Sequence, residues 1–411
     1  MPSDIYDQIP KNTFISEYMK ECNNLETPRS YDFWSAVWII SLLVNRQLQI
    51  YRPNASLFCN FYILLVGDSG VTRKSTSLHY TKQILDDIIK DTSSKIIQMN
   101  SIPTTYTMYK NLFGVYNKQK LLTFGINTSD FKSLYKNKDI INLLSNCYDN
   151  IKENFNYGSD NLIKCDCFIS CISSTTTDNY IKALTKEEIE TGFTSRCITC
   201  YEEKGKRRIP WGKEIDTTTI RRYGRELVER IKTAEHLELS DCGVRRYSRW
   251  YSKRRYSTEL YSRTFESREQ DFVLKLAGLL AVNDLTFIIT KQHIDLAIKI
   301  VNNTKDKINS LINDTINEKD DDNYDKIITK IQRMLRISGA NGIYHSDLYN
   351  KVKSYCTNPE YKYIINVMHE LGMLDKLALI GSKKIKYREG PNLFTTDIQV
   401  IKDKIILNPL D

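Results

Sequence analysis

The segment Gly67-Asp68-Ser69-Gly70-Val71-Thr72-Arg73-Lys74-Ser75-Thr76 gathers the residue types that a phosphate chain requires. Glycines permit the tight positive-φ turns that let backbone N–H groups converge on phosphate oxygens. A lysine neutralises β- and γ-phosphates, and a Ser or Thr in the first helical turn holds Mg²⁺. The helix N-terminus adds its own partial positive charge. Lys74 and Ser75 stand ready for the lysine and hydroxyl roles. The spacing departs from the usual pattern. Gly67 lies seven residues before Lys74, one more than usual, and Arg73 occupies the position normally held by glycine. The competing reading is a plain surface turn that joins a strand to a helix.

Such a loop works only if a strand delivers it and a helix receives it. Phe61 to Val66 is a continuous apolar run, the pattern of a strand buried on both faces. Ser75 to Lys90 reads as the helix. Leu121 to Ile126, Cys167 to Ser173 and Cys197 to Tyr201 are further short apolar runs, with a helix expected over Asp139 to Tyr148. Together they predict an α/β core with a parallel sheet, ending near Pro210-Trp211. Before the core, Thr27-Pro28 and Ser30 signal the start of a helix that runs to Val44. After it, Arg221 to Glu235, Tyr247 to Ser262, Asp271 to Val282 and Lys291 to Leu311 read as helices. Asn317 to Asn323 is polar and acidic and reads as a linker. Beyond it, Tyr324 to Arg336, Ser346 to Lys353 and Pro359 to Leu371 read as helices. The strands Leu377 to Ile380 and Lys384 to Tyr387 follow, the order of a winged helix.

Hydrophobic residues make up 41% and charged residues 27% of the 411, which fits a globular chain of two or three domains rather than a disordered one. Lys and Arg number 59 against 50 Asp and Glu, so the net charge of +9 permits a polyanionic partner without demanding one. The N-terminus shows neither the basic nor the apolar region of a signal peptide. The ten cysteines are too sparse for a disulfide scaffold, so free thiols and a cytoplasmic location are expected. The longest apolar run, Phe33 to Val44, is 12 residues, short of the ~20 of a membrane-spanning helix.

Around the loop, Asn60 to Gly70 with Arg73-Lys74-Ser75-Thr76 resembles the MCM-like AAA-plus primase-helicases of phages, plasmids and genomic islands. Gly192-Phe193-Thr194-Ser195-Arg196, with Tyr201-Glu202-Glu203 and Arg208-Ile209-Pro210 beyond, carries the resemblance further. So do Ser267-Arg268 with Val273 to Ala277, and Trp34 to Leu43. The resemblance covers roughly residues 28 to 301. It implies a helical leader over 1–58, an AAA-plus core over 59–212 and a helical lid over 213–312. An acidic linker (313–323), a winged helix (324–392) and a tail (393–411) complete the expected organisation.

It also implies ATP and Mg²⁺ bound between subunits of a homo-oligomeric, hexameric ring, acting as a DNA motor beside a primase or polymerase partner. Arg196 matches the arginine-finger position, Arg268 the second sensor arginine and Thr177 the region of the first sensor. The alternatives are a surface arginine for Arg196, a helix N-terminal charge for Arg268 and an ambiguous register within Thr175-Thr176-Thr177. One departure bears on catalysis: Asn127 stands where the family places a glutamate. An amide orients water but accepts no proton. Either Asp130 substitutes for it, or hydrolysis is weak, or the subunit does not turn over. An ATP-switch initiator or loader and a non-hydrolysing assembly subunit are therefore carried as alternatives to the motor.

Basic residues alternate with aromatics from Arg245 to Tyr256. Arg245, Arg246, Arg249 and Arg254 could follow a phosphate backbone with rings available for stacking, or they could face water while the aromatics face the core. In the winged helix, Lys383, Lys384 and Lys386 predict backbone contacts through the wing, whereas the helix 359–371 lacks the residues of base readout. A purely protein-binding role is the alternative. Cys165, Cys167, Cys171, Cys197 and Cys200 suggest zinc, but Cys197 and Cys200 fall on opposite faces of a strand, and buried free thiols are the simpler reading.

Overall fold

The structure is a computed structural model. It describes residues 4–52, 56–100, 122–129, 131, 138–149, 153–156, 162–165, 167–183, 192–205, 208–257, 260–378, 385–393, 396, 400–401 and 404. The chain divides into two compact units, Met1–Leu311 and Ile312–Asp411. Leader, core and lid therefore belong to one unit.

The first unit begins with helices α1 (Phe14–Glu21) and α2 (Arg29–Val44), then a two-stranded ribbon of β1 (Gln49–Ile50) and β2 (Leu57–Phe58). Next come β3 (Tyr62–Val66), α3 (Lys74–Thr92), β4 (Ile96–Met99), β5 (Leu122–Thr128) and α4 (Lys138–Tyr148). An antiparallel pair, β6 (Glu153–Asn156) and β7 (Leu162–Cys165), leads to β8 (Cys167–Thr175), α5 (Thr177–Ala183) and β9 (Cys197–Tyr201). The helical remainder is α6 (Thr218–Ile231), α7 (Asp241–Tyr251) and α8 (Leu260–Asn283), with the short strands β10 (Glu238–Leu239) and β11 (Ile288–Ile289) between them. Finally α9 (Lys291–Ser338) begins in this unit.

Five strands form one parallel sheet in the order β4-β5-β8-β3-β9. The register puts Tyr62, Cys171 and Ile126 in one row and Gly125 beside Ser170 in the next, so these two rows face opposite sides. On one side the Tyr62 hydroxyl donates to the Leu144 carbonyl of α4 at 2.7 Å. On the other, Ser170 Oγ meets Ser41 Oγ of α2 at 2.7 Å, and a Cβ at Gly125 would come within 2.7 Å of Leu42. Cover on both faces is why these strands read as unbroken apolar runs.

The leader expected from sequence is thus a core layer. Every residue of α2 after Arg29 is buried, as its all-round apolarity requires. The basic-aromatic run differs from expectation. Its helix ends at Tyr251, and the chain resumes helix at Leu260.

The acidic segment 313–323 also differs from the expected linker. It is helical, within the single 48-residue α9. It contains neither Gly nor Pro; its Asn and Asp residues are poor helix formers, but at up to ~0.7 kcal/mol each they cost far less than the ~3 kcal/mol of a proline. The second unit takes up the end of α9, then β12 (Ile343–Tyr344), α10 (His345–Val352), α11 (Asn358–Glu370), β13 (Leu374–Ala378) and β14 (Ile385–Glu389). The last two strands pair antiparallel, and β12 adds to β14. Its core gathers Ile328, Leu335, Leu348, Tyr361, Met368 and Tyr387. No helix among the described residues is long and apolar enough to cross a membrane.

Candidate functional site

β3 delivers the glycine loop. Its last residue, Val66, lies opposite Thr175 of β8 and Tyr201 of β9, so three parallel strands end together. Ligands of open parallel sheets gather at this carboxyl edge. Gly67 has no room for a side chain. A Cβ there would come within 2.6 Å of the Glu202 carbonyl and 2.7 Å of the Thr72 and Tyr31 hydroxyls.

Gly70 turns at φ +74° and Arg73 at φ +53°. Arg73 thus holds the left-handed conformation that glycine adopts without steric cost. Its guanidinium turns to Glu26, with Nε 2.6 Å and Nη2 2.5 Å from Oε2. The other Glu26 oxygen accepts the Ile209 N–H at 2.8 Å. The Ile209 N–H, and then Arg73, hold the Glu26 carboxyl below its usual range.

Lys74 is the first residue of α3. Its Nζ lies 2.5 Å from the Gly67 carbonyl, 3.0 Å from the Asp68 carbonyl and 3.4 Å from Thr72 Oγ1. The ammonium therefore sits inside the curl of the loop. Burial lowers its pKa, with Asp68 opposing. The loop borders a hollow of about 420 Å³ that includes Ser69, Gly70, Arg73 and Lys74, with Ser75 and Thr76 exposed in it. The far wall comes from the ends of β5 and β8 and from α5, through Ser129, Ser174, Thr175, Thr176 and Asn179. One ammonium amid many hydroxyls suits an oxygen-rich anion. Val71 is an exposed loop tip and does not border the hollow.

The other predicted residues are distributed unevenly around it. Thr177 donates to Asp68 Oδ1 at 2.8 Å, so it braces the loop, while Thr176 and Asn179 border the hollow. Asn127 is buried, and its amide donates to the Leu78 carbonyl of α3 at 2.9 Å. It faces helix rather than hollow, and Ser129 reaches the hollow instead. Asp130 lies outside the described residues. Among the described residues, no carboxylate borders the hollow.

Neither arginine borders it either. Arg196 follows β8 and α5 in a short 3-10 turn and binds Asp149 through Nε at 3.2 Å and through Nη2. Its Nη1 donates to the Gly192 carbonyl at 2.6 Å. Arg268 of α8 reaches the same Asp149 at 2.9 Å. The structure brings the two arginines together with each other, on a carboxylate that the sequence reading did not single out.

Beside them Lys275, 1% exposed, donates to the Asn60 carbonyl and side-chain oxygen at 3.1 and 2.8 Å and lies 3.5 Å over the Tyr148 ring. Burial pulls its pKa down to about 7, against the pull of Asp271, Cys59 and Asp149.

In the basic run, Arg245 and Arg249 are exposed, and Arg246 pairs with Asp295. Arg254 is not a surface arginine. Its side chain is 8% exposed, bound to Glu269 at 3.2 Å and Gln270 at 2.6 Å, and placed over Trp250 at 5.2 Å. Arg249 instead shares a hollow of about 600 Å³ with Trp250, Lys253 and, across from the run, Lys291 and the Asp295 carboxylate; Lys291 is an addition that only the fold reveals. Lys383 and Lys384 lie outside the described residues. Lys386 lies 4.6 Å over the Tyr344 ring. Cys171 of β8 and Cys197 and Cys200 of β9 are buried thiols, and burial pushes Cys197 and Cys200 up to about 12. Among the described residues, no group of three or more His, Cys, Asp or Glu side chains could hold a metal. No protein-family model matches the chain, and no curated protein matches it.

Proposed function

We propose that the chain is an ATP-binding P-loop protein of the AAA-plus type that acts on DNA, as a replicative helicase or helicase-like motor of a phage or mobile element. The observation that carries this reading is the Lys74 ammonium inside a glycine loop at the carboxyl edge of a parallel sheet, facing a hydroxyl-lined hollow. Phosphate oxygens would displace the Gly67 and Asp68 carbonyls from Lys74, and the first-turn amides of α3 would add their dipole.

Mg²⁺ binds through few protein oxygens and keeps phosphate and water for the rest, so the exposed Ser75 hydroxyl fits that role. Bound there, it would neutralise charge on the phosphates. Arg196 and Arg268, joined on Asp149 away from the hollow, suit a ring in which one subunit offers both to the nucleotide of the next. Arg249, Lys253 and Lys291 around Trp250, with the exposed Arg245 on the same helix, would follow a single strand's backbone. The helix, helix and hairpin order of the second unit supports a winged helix that holds backbone through Lys386.

A second reading, ATP as the switch of an initiator or loader, is favoured by one observation. Asn127 is committed to Leu78, and no carboxylate among the described residues borders the hollow. Slow turnover follows from that.

Calorimetric ATP binding and steady-state hydrolysis, with and without single-stranded DNA, test both. Lys74→Ala is expected to weaken ATP binding by about tenfold or more. Arg196→Ala is expected to spare binding and to cut turnover by about a thousandfold. Binding without DNA-stimulated turnover selects the switch. Absence of ATP binding by the unaltered chain overturns both and leaves an assembly subunit.

A further inference from the structure

We propose that the second unit carries a separate binding site for a phosphorylated nucleotide, in the hollow between the start of α10, one face of α11 and the β13–β14 pair. The hollow measures about 500 Å³, within the range of small-ligand sites. Lys362 of α11 and Lys376 of β13 both border it, and among the described residues no carboxylate does. Two exposed cations facing one space without a counter-charge repel each other, and a bound anion removes that cost.

Apolar and aromatic side chains make up much of the rest of the wall, beside His345, Ser346 and Asn366. Ile365 and Tyr387 are buried in its floor, Tyr344 stands beside them, and Ile385 is 45% exposed at its mouth. A hydrated inorganic ion has no use for such a surface, whereas a heterocyclic ring does. Polar groups are fixed between floor and rim. His345 Nδ1 meets the Tyr387 hydroxyl at 3.0 Å, and Lys376 Nζ donates to Asn366 Oδ1 at 3.2 Å. Burial lowers the His345 pKa, and Lys362 and Lys376 add to that lowering. The matching ligand is a phosphomonoester on a planar base. Its source is either a free mononucleotide or the phosphorylated end of a strand.

This site belongs to the second unit and Lys74 to the first, so the test uses the full chain with Lys74→Ala, which weakens the glycine loop's own nucleotide binding. Calorimetry then compares deoxyadenosine monophosphate, deoxyadenosine, inorganic phosphate and short oligonucleotides with or without a 5′-phosphate. The monophosphate is expected to bind at one site, about tenfold or more tighter than deoxyadenosine or phosphate alone. Lys362→Ala and Lys376→Ala should each weaken it by about tenfold, and Lys362→Arg should restore it. Tight binding of the 5′-phosphorylated strand, lost in the same variants, would name a strand end as the source. Binding of the monophosphate alone would name the free nucleotide, and either result upholds the site. Equal binding of nucleoside and nucleotide, or indifference to both lysine substitutions, overturns it, whatever the loop does.

Discussion

Arg196 and Arg268, 72 positions apart in the chain, share the carboxylate of Asp149: Arg196 Nε lies 3.2 Å from Oδ2 and Arg268 Nη1 2.9 Å from Oδ1. Asp149 follows the last residue of α4 and so ties that helix to α8 and to the turn before β9. Removing it leaves two partly buried guanidiniums without their shared partner. Asp149→Ala is expected to cost about 2–3 kcal/mol in urea unfolding. If the arginines serve a neighbouring subunit, ATP turnover falls in Asp149→Asn while ATP affinity holds.

At Arg73, strain and attachment oppose each other. Glycine in its place relieves the left-handed φ of +53° but loses the bonds to Glu26, whereas alanine loses the bonds and keeps the strain. Arg73→Gly is therefore expected to be more stable than Arg73→Ala by about 1 kcal/mol in denaturant unfolding. The reverse order would mean that the loop does not hold this conformation in solution.

Lys275 predicts a pH dependence of stability. Its folded pKa of about 7 lies below the ordinary lysine value of 10.5. Between these values the unfolded chain carries a proton that the folded chain does not, so this residue's contribution to stability rises with pH. It is fully present above about 10.5 and is lost as pH falls through 7. The stability of the unaltered chain minus that of Lys275→Met should grow between pH 7.5 and 9.5 by up to about 1.4 kcal/mol per unit.

At Gly125, β5 packs directly against α2. A methyl group there would meet Leu42 Cδ1 at 2.7 Å and the Trp38 ring at 3.3 Å. Gly125→Ala should cost about 1–3 kcal/mol by overpacking, read as a lower unfolding midpoint at unchanged slope.

What the sequence disclosed follows from how each feature is encoded. β3, β8 and β9 are continuous apolar runs because both sheet faces are covered, and the loop is legible because Lys74-Ser75 follows such a run directly. β4 went unread: Ile-Ile-Gln-Met is short, and three of its four residues are only half-buried. Asp149 is one acid among many until folding brings two distant arginines to it. Arg254 looked like its neighbours because nothing in a linear run tells a paired arginine from a solvated one. The acidic stretch within α9 shows that polarity alone does not break a helix when Gly and Pro are absent.

The Asn127 side chain has a mechanical consequence. Its amide fastens the end of β5 to the first turns of α3, the helix that Lys74 begins. Any ligand that tugs on that helix start would drag the strand tip and Ser129 with it. The opposite wall of the cleft would therefore travel with the loop instead of waiting to be contacted.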